Sequence, residues 1–201
     1  VRAQPPLGER ERGLVFRPAH RLPLAVAQRA QTSPFTLVPE SGLDRPDIAA
    51  MLADARIRTL LLISPLTAED LQVQHSPLMS PIVWDLGHIA HFEELWLVQN
   101  IGPDPQGRQF GEIPGIYNPF ENPRSVRGTM QLPTPRETVD VMAGIRRKVL
   151  DHLHRVELDA DDRLLTDGFV FHMVLQHEHQ HQETVLQTLQ LKQGAPFPAP
   201  R

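Results

Sequence analysis

Between Gln176 and Glu183 the chain reads Gln-His-Glu-His-Gln-His-Gln-Glu, three histidines at alternate positions inside an apolar pattern of helical period. Phe169, Val170, Met173 and Val174 precede the stretch, and Val185, Leu186 and Leu189 follow it; spacings of three and four are those of one helix face. A helix turns about 100° per residue, so His177 and His181 stack one above the other with Cβ atoms roughly 6 Å apart, and His179 points to the opposite side. Two imidazoles one turn apart can converge on a single ion at about 2.1 Å, whereas alternate histidines could do so only from a strand. The helix therefore selects a pair. A pair needs at least one further ligand, which a second element must bring.

Candidates for that element are helical. A first helix begins at Asp44 with Pro46 in its opening turn, and Ile48, Met51, Leu52, Ala55, Thr59, Leu62 and Ile63 form one stripe that ends at Ser64-Pro65. Thr67 caps a short helical turn to Leu71. Ser80 as N-cap and Pro81 at the first position announce a second helix through Trp84, His88, Phe92, Leu95 and Gln99, all on one face. His88 sits in the middle of that apolar stripe and His91 about 60° off its centre. A lone buried histidine is ordinarily a core residue bonded to a carbonyl; beside a histidine pair that lacks a third ligand, His88 becomes the leading candidate and His91 the reserve. Thr134, Pro135 and Glu137 open a third helix with a capping box, and Val139, Met142, Arg146, Val149, Leu150 and Leu153 form its inner stripe without visible chemistry. Asp159 to Asp162 make a turn, and the fourth helix runs from about Asp167 to Leu191, closed by Gly194.

Four amphipathic helices and no convincing strand predict an all-α four-helix bundle, a fold that builds metal sites from side chains on facing helices. The run from Ile101 to Pro133 is rich in Gly, Pro and Asn and has no period, so it serves as a long crossover loop that lets helices two and three run parallel. Within it Arg124 and Arg127, three apart, could hold a carboxylate bidentately; spacing alone favours solvated surface charges.

At 201 residues the chain suits one domain. A net charge of −4 without a basic stripe gives no nucleic-acid footprint, and no apolar run approaches the ~20 residues of a membrane span. With no cysteine and no signal-peptide core at Val1 to Pro6, a cytoplasmic protein is the expectation. The twenty prolines cluster in the tails and the internal loop. Residues 1–43 read as an N-terminal tail, partly extended or disordered, and 44–195 as the bundle. Residues 196–201 read as the start of a linker toward another domain.

His177-Glu178-His179-Gln180-His181 also satisfies the H-E-x-x-H pattern of zinc proteases, with Glu178 as general base. After Glu183, however, the chain holds no Asp, Glu or His to complete such a site. A solvated polar face fits the pair no better, because the same face continues as Val170, Met173, Val174 and Thr184.

Two segments, Ser80-Pro-Ile-Val-Trp-Asp-Leu-Gly-His88-Ile-Ala-His-Phe-Glu-Glu94 and His177-Glu-His-Gln-His181, with the Arg124 and Arg127 loop between them, resemble the DinB-like superfamily. Within it they resemble the N-terminal metal-binding domain of ergothioneine-biosynthesis sulfoxide synthases. The resemblance implies that His88, His177 and His181 bind a non-haem Fe(II), with Zn, Ni or another divalent metal as substitutes. With O2, such an enzyme couples a cysteine-type thiol (γ-glutamylcysteine or cysteine) to the imidazole C2 of Nα-trimethylhistidine and oxidises the sulfur. It further implies that Gln180 helps hold the trimethylated substrate and that Arg124 and Arg127 hold carboxylates of the thiol. The family's catalytic tyrosine lies in a C-terminal domain related to formylglycine-generating enzymes, which would begin where this chain stops. Two other readings are a free-standing DinB-like metal-dependent thiol transferase and a non-catalytic helical binding module.

Overall fold

A computed structural model of the chain describes residues 44–102, 115–158, 161–192 and 195–197. The expectations for residues 1–43, for Asp159 and for helix closure at Gly194 fall outside them. Within the described residues the elements are α1 (Arg45–Ile63), α2 (Ala68–Gln72), α3 (Ile82–Glu93), α4 (Arg124–Arg127), α5 (Pro135–Leu153) and α6 (Phe169–Gln190), and none is a strand.

Local chemistry explains most of the boundaries. Asp44, Thr67 and Thr134 each cap a helix through a reciprocal box with Asp47, Asp70 and Glu137, which satisfies backbone N–H groups that no earlier turn can bond. Helix α6 starts behind a 3-10 turn, Thr166–Gly168, in which Asp167 and Gly168 both take positive φ. Gly168 also lies against Ile48 of α1, whose Cδ1 would have to shift to admit a Cβ, and its positive φ favours glycine.

Two expectations fail around α3. Ser80 does not cap it: Pro81 is the N-cap residue and makes no side-chain cap bond, while the Ser80 hydroxyl accepts a 2.8 Å hydrogen bond from Arg127 Nη1. Nor does α3 continue as an α-helix to Gln99. It widens into a π-helical segment, Glu94–Asn100, so the buried positions there become Glu94, Leu97 and Val98 in place of Leu95 and Gln99. A π turn takes in one residue more than an α turn and shifts the register of every side chain after it.

Helix directions follow from residue pairs. Arg56 reaches the Met142 carbonyl while Arg146 reaches that of Leu52, so α1 and α5 are antiparallel. Ile48 lies at Gly168, Arg56 at Glu178 and Thr59 at Gln182, so α1 and α6 are parallel. His88 meets His177 and Asp85 meets His181, making α3 antiparallel to α6. Helices α3 and α5 therefore run in the same direction, as a crossover connection requires.

The interior is one apolar core that includes Leu52, Leu86, Ile89, Met142, Ile145, Val149, Val170 and Val174. A smaller cluster of Trp84, Ile116 and Tyr117, flanked by Met130 and Leu132, fastens the second part of the crossover onto α3. No helix among the described residues is long and apolar enough to cross a membrane.

Candidate metal centre

His88 on α3 and His177 and His181 on α6 meet at the interface of the two antiparallel helices, each offering a ligand nitrogen within 4.8 Å of the others. Ring centroids are 4.9, 4.9 and 4.6 Å apart, nearly an equilateral triangle. His88 Nε2 and His177 Nε2 lie 3.2 Å apart. Ligand atoms bonded to one ion at about 2.1 Å sit about 3.0–3.4 Å from each other in octahedral or tetrahedral geometry, so this spacing fits a shared cation. His91 is not among the three. His179 lies off the face, its Nδ1 3.2 Å from Gln182 Oε1.

Outward-facing partners fix two of the rings. A carbonyl can only accept, so at 2.8 Å from the Tyr117 carbonyl His88 Nδ1 carries the proton, and Nε2 keeps its lone pair for an ion. Likewise His181 Nδ1 donates to Asp85 Oδ1 at 3.1 Å, leaving its Nε2 for the ion. Asp85 is 1 % exposed, and its Oδ2 has no hydrogen-bond partner among the described residues. This buried carboxylate lies one hydrogen bond from the His181 ring.

Aromatic rings of α3 cover the imidazole faces. Trp84 stacks on His88 with centroids 5.0 Å apart, and Phe92 stacks on His177 at 3.8 Å. Burial, the charge of His181 and, for His177, that of His88 push His88 down to about 4 and His177 down to about 3, with the Tyr117 carbonyl partly opposing the shift at His88. Both rings are neutral, as coordination demands, well below the usual histidine range.

The crossover holds the site together from outside. Trp84 Nε1 donates to the Ile116 carbonyl at 3.1 Å, and Gly87 leaves room for the Tyr117 ring, which a Cβ would overlap. Burial raises the Tyr117 phenol to about 12, with a bond to Thr138 opposing the shift. Arg127 is buried, contrary to the solvated reading. Its guanidinium lies 3.4 Å over the Trp84 ring, and its Nε donates to the Asn122 carbonyl at 2.8 Å. Arg124 and Gln180 are exposed, Gln180 on the turn between His177 and His181.

Glu178 is turned away from the histidines. Arg56 Nε donates to it at 2.8 Å, Arg146 Nη2 at 3.1 Å and the Thr59 hydroxyl at 2.8 Å. Burial raises its pKa, but the two guanidiniums prevail and hold it below the usual carboxylate range. A carboxylate so occupied cannot serve as general base to a metal-bound group, so the H-E-x-x-H match is coincidental.

A family model described as the DinB superfamily matches residues 51–185, a span that contains all three histidines. The chain belongs to the DinB superfamily. This DinB chain is also 43 % identical over 153 residues to a protein named hercynine oxygenase from Mycolicibacterium thermoresistibile, covering 76 % of the chain and 33 % of the relative. The hercynine oxygenases of Mycolicibacterium smegmatis (43 % over 153 residues; 76 % and 34 %) and Mycobacterium tuberculosis (42 % over 150; 75 % and 34 %) match similarly. The DinB chain spans about a third of the length of these relatives.

Asp85, Tyr117 and the partners of Glu178 were not picked out from the sequence as site residues. Asp85 had a signal: three residues before His88, it is an acid on the same side of the helix as that histidine.

Proposed function

We propose that this chain is the metal-binding part of an O2-dependent non-haem iron oxygenase of ergothioneine biosynthesis. Its substrates are Nα-trimethylhistidine and a cysteine-type thiol, γ-glutamylcysteine or cysteine. The reaction joins the thiol sulfur to C2 of the imidazole and leaves that sulfur as a sulfoxide; O2 accepts the four electrons released, one oxygen entering the sulfoxide and the other leaving as water. The observation that carries this reading is the convergence of His88, His177 and His181 on one point, inside the span shared with the DinB superfamily. The identity to proteins named hercynine oxygenase supports the substrate.

Fe(II) held by the three imidazoles would supply O2 and one-electron chemistry at its open positions. The protein's own residues do the rest. Tyr117 and Asp85 orient the His88 and His181 rings, and Trp84 and Phe92 cover the faces of His88 and His177. Asp85 offsets part of the dication's charge. In this reading Gln180, exposed beside the pair, contacts the trimethylated substrate, and Arg124, also exposed, holds a thiol carboxylate. Arg127, engaged by Ser80, Asn122 and Trp84, contributes through the loop it anchors and has fewer free donors for a carboxylate. A C-terminal domain related to formylglycine-generating enzymes supplies the remaining groups, including a tyrosine.

The test is anaerobic Fe(II) loading followed by Nα-trimethylhistidine, thiol and then O2, with products separated by mass. The reading predicts saturable binding of the trimethylated imidazole to the iron-loaded protein, and the sulfoxide adduct when the whole reading frame is used. Absence of trimethylhistidine binding at millimolar concentration would refute it.

A further inference from the structure

Beside the histidine triad lies a buried ring of four charges to which each of the four long helices contributes one: Arg56 from α1, Glu93 from α3, Arg146 from α5 and Glu178 from α6. The ring alternates in sign and is closed. Glu93 accepts from Arg146 Nε at 2.5 Å and from Arg56 Nη2 at 2.7 Å; Glu178 accepts from Arg56 Nε at 2.8 Å and from Arg146 Nη2 at 3.1 Å. The carboxylate side chains are 1 % exposed and the arginine side chains 10 %. Spare donors are also used: Arg56 Nη1 bonds the Met142 carbonyl at 3.2 Å, and Arg146 Nη1 the Leu52 carbonyl.

Stability alone is a poor reason for such a group. Removing four charges from water is costly, and buried ion pairs replaced by well-packed apolar residues of similar size often leave a protein as stable or more so. What the ring offers that leucines do not is a discrete geometry. Apolar helix faces tolerate small rotations and slides at little cost, whereas paired forks and carboxylates fit in one arrangement.

Both acids stand on the helices that carry the histidines. Glu178 follows His177 directly, about 100° further round α6, and Glu93 follows His88 by five residues, about 140° further round α3. Any rotation of either helix that would spread the ligand nitrogens pulls a carboxylate out of its guanidinium fork. The two arginines come from α1 and α5, which bear no ligand, so the frame that fixes the ligand helices is the other half of the bundle. We propose that this four-charge ring sets the rotation and register of α3 and α6, and that Arg56, Glu93, Arg146 and Glu178 are positioning residues for the three-histidine metal centre. The inference rests on the proposed metal role of the histidines.

The test compares the wild-type chain with two variants, using Co(II) alone as the probe. The apolar replacement Arg56→Met, Glu93→Leu, Arg146→Met, Glu178→Leu removes the charges in balance, and Glu178→Gln cuts the ring at one point. Helicity and unfolding midpoint are read by circular dichroism, affinity by chelator competition well below that midpoint, and ligand geometry by the visible Co(II) bands. A ligand set loosened by half an ångström binds about tenfold more weakly or worse. We expect that loss, with altered Co(II) bands, in Glu178→Gln and in the apolar variant, the latter with helicity and midpoint at or above those of the wild type. Wild-type affinity and bands in either folded variant would overturn the positioning role. Failure of the wild-type chain itself to bind Co(II) would overturn the metal reading on which the inference rests.

Discussion

Asp85 and His181 meet across the α3–α6 interface, the carboxylate accepting the imidazole Nδ1 proton at 3.1 Å from a position closed to water. Such a partner fixes the ring's tautomer and raises its basicity as a ligand. Asp85→Asn keeps the shape and removes the charge. Its metal affinity is expected to fall about 10–100-fold, measured by competition with a chelator of known affinity. Affinity equal to the wild type would show that His181 needs no such partner.

Gly87 gives the Tyr117 ring its place against α3, and the Tyr117 carbonyl holds His88. Gly87→Ala would improve helix propensity by about 1 kcal/mol at an open site. Here the added methyl forces the ring and its backbone outward, an overpacking cost of roughly 1–3 kcal/mol. The expected outcome is a lower denaturant midpoint together with weaker metal binding. A stabilised variant with unchanged affinity would mean that the crossover does not grip the site through Tyr117.

Metal-free protein should lose stability as the pH drops below the ordinary histidine range. Folded His88 and His177 resist protonation down to about 4 and about 3, while the unfolded chain takes up those protons near pH 6.5. The unfolded state therefore binds more protons in that window. Stability rises with pH through it, by up to about 1.4 kcal/mol per pH unit for each imidazole. Urea unfolding at pH 7, 6 and 5 measures the slope, and a flat profile would contradict the buried, neutral state of the two rings. Proton competition at these two ligands accordingly sets in near pH 4 and 3, lower than the pH 6.5 of a free imidazole.

The two arginines of the crossover separate by environment. Arg124 is exposed, and Arg124→Ala should change stability by no more than about 0.5 kcal/mol. Arg127→Ala empties the bonds to Ser80 and Asn122 and the stack on Trp84, and should cost about 1–3 kcal/mol. If Arg124 holds a thiol carboxylate, its alanine variant weakens thiol binding and leaves metal affinity alone. Equal stability costs in both variants would contradict the distinction.

Much of this fold is written locally. The Asp44, Thr67 and Thr134 boxes and the prolines beside them are signals a few residues long, and they mark the starts of α1, α2 and α5. The spacing of His177 and His181 is likewise local, and it required a ligand from another helix, which His88 is placed to supply. What escaped depends on contacts between distant residues. Arg56 and Arg146 stand singly on apolar stripes, and nothing near them announces that Glu93 and Glu178, 37 and 32 residues away, complete a ring. Glu178 was legible only as a motif position, and its partners show that it faces the wrong way. The widening to a π-helix over Glu94–Asn100 has no counterpart in the residue pattern there.

The account turns on whether the three imidazoles hold one ion. Elemental analysis of the purified chain after Fe(II) or Zn(II) loading and desalting measures that directly. About one ion per chain is expected in the wild type, and next to none in the His88→Ala, His177→Ala double variant. Full occupancy in that double variant would place the metal elsewhere and contradict the account.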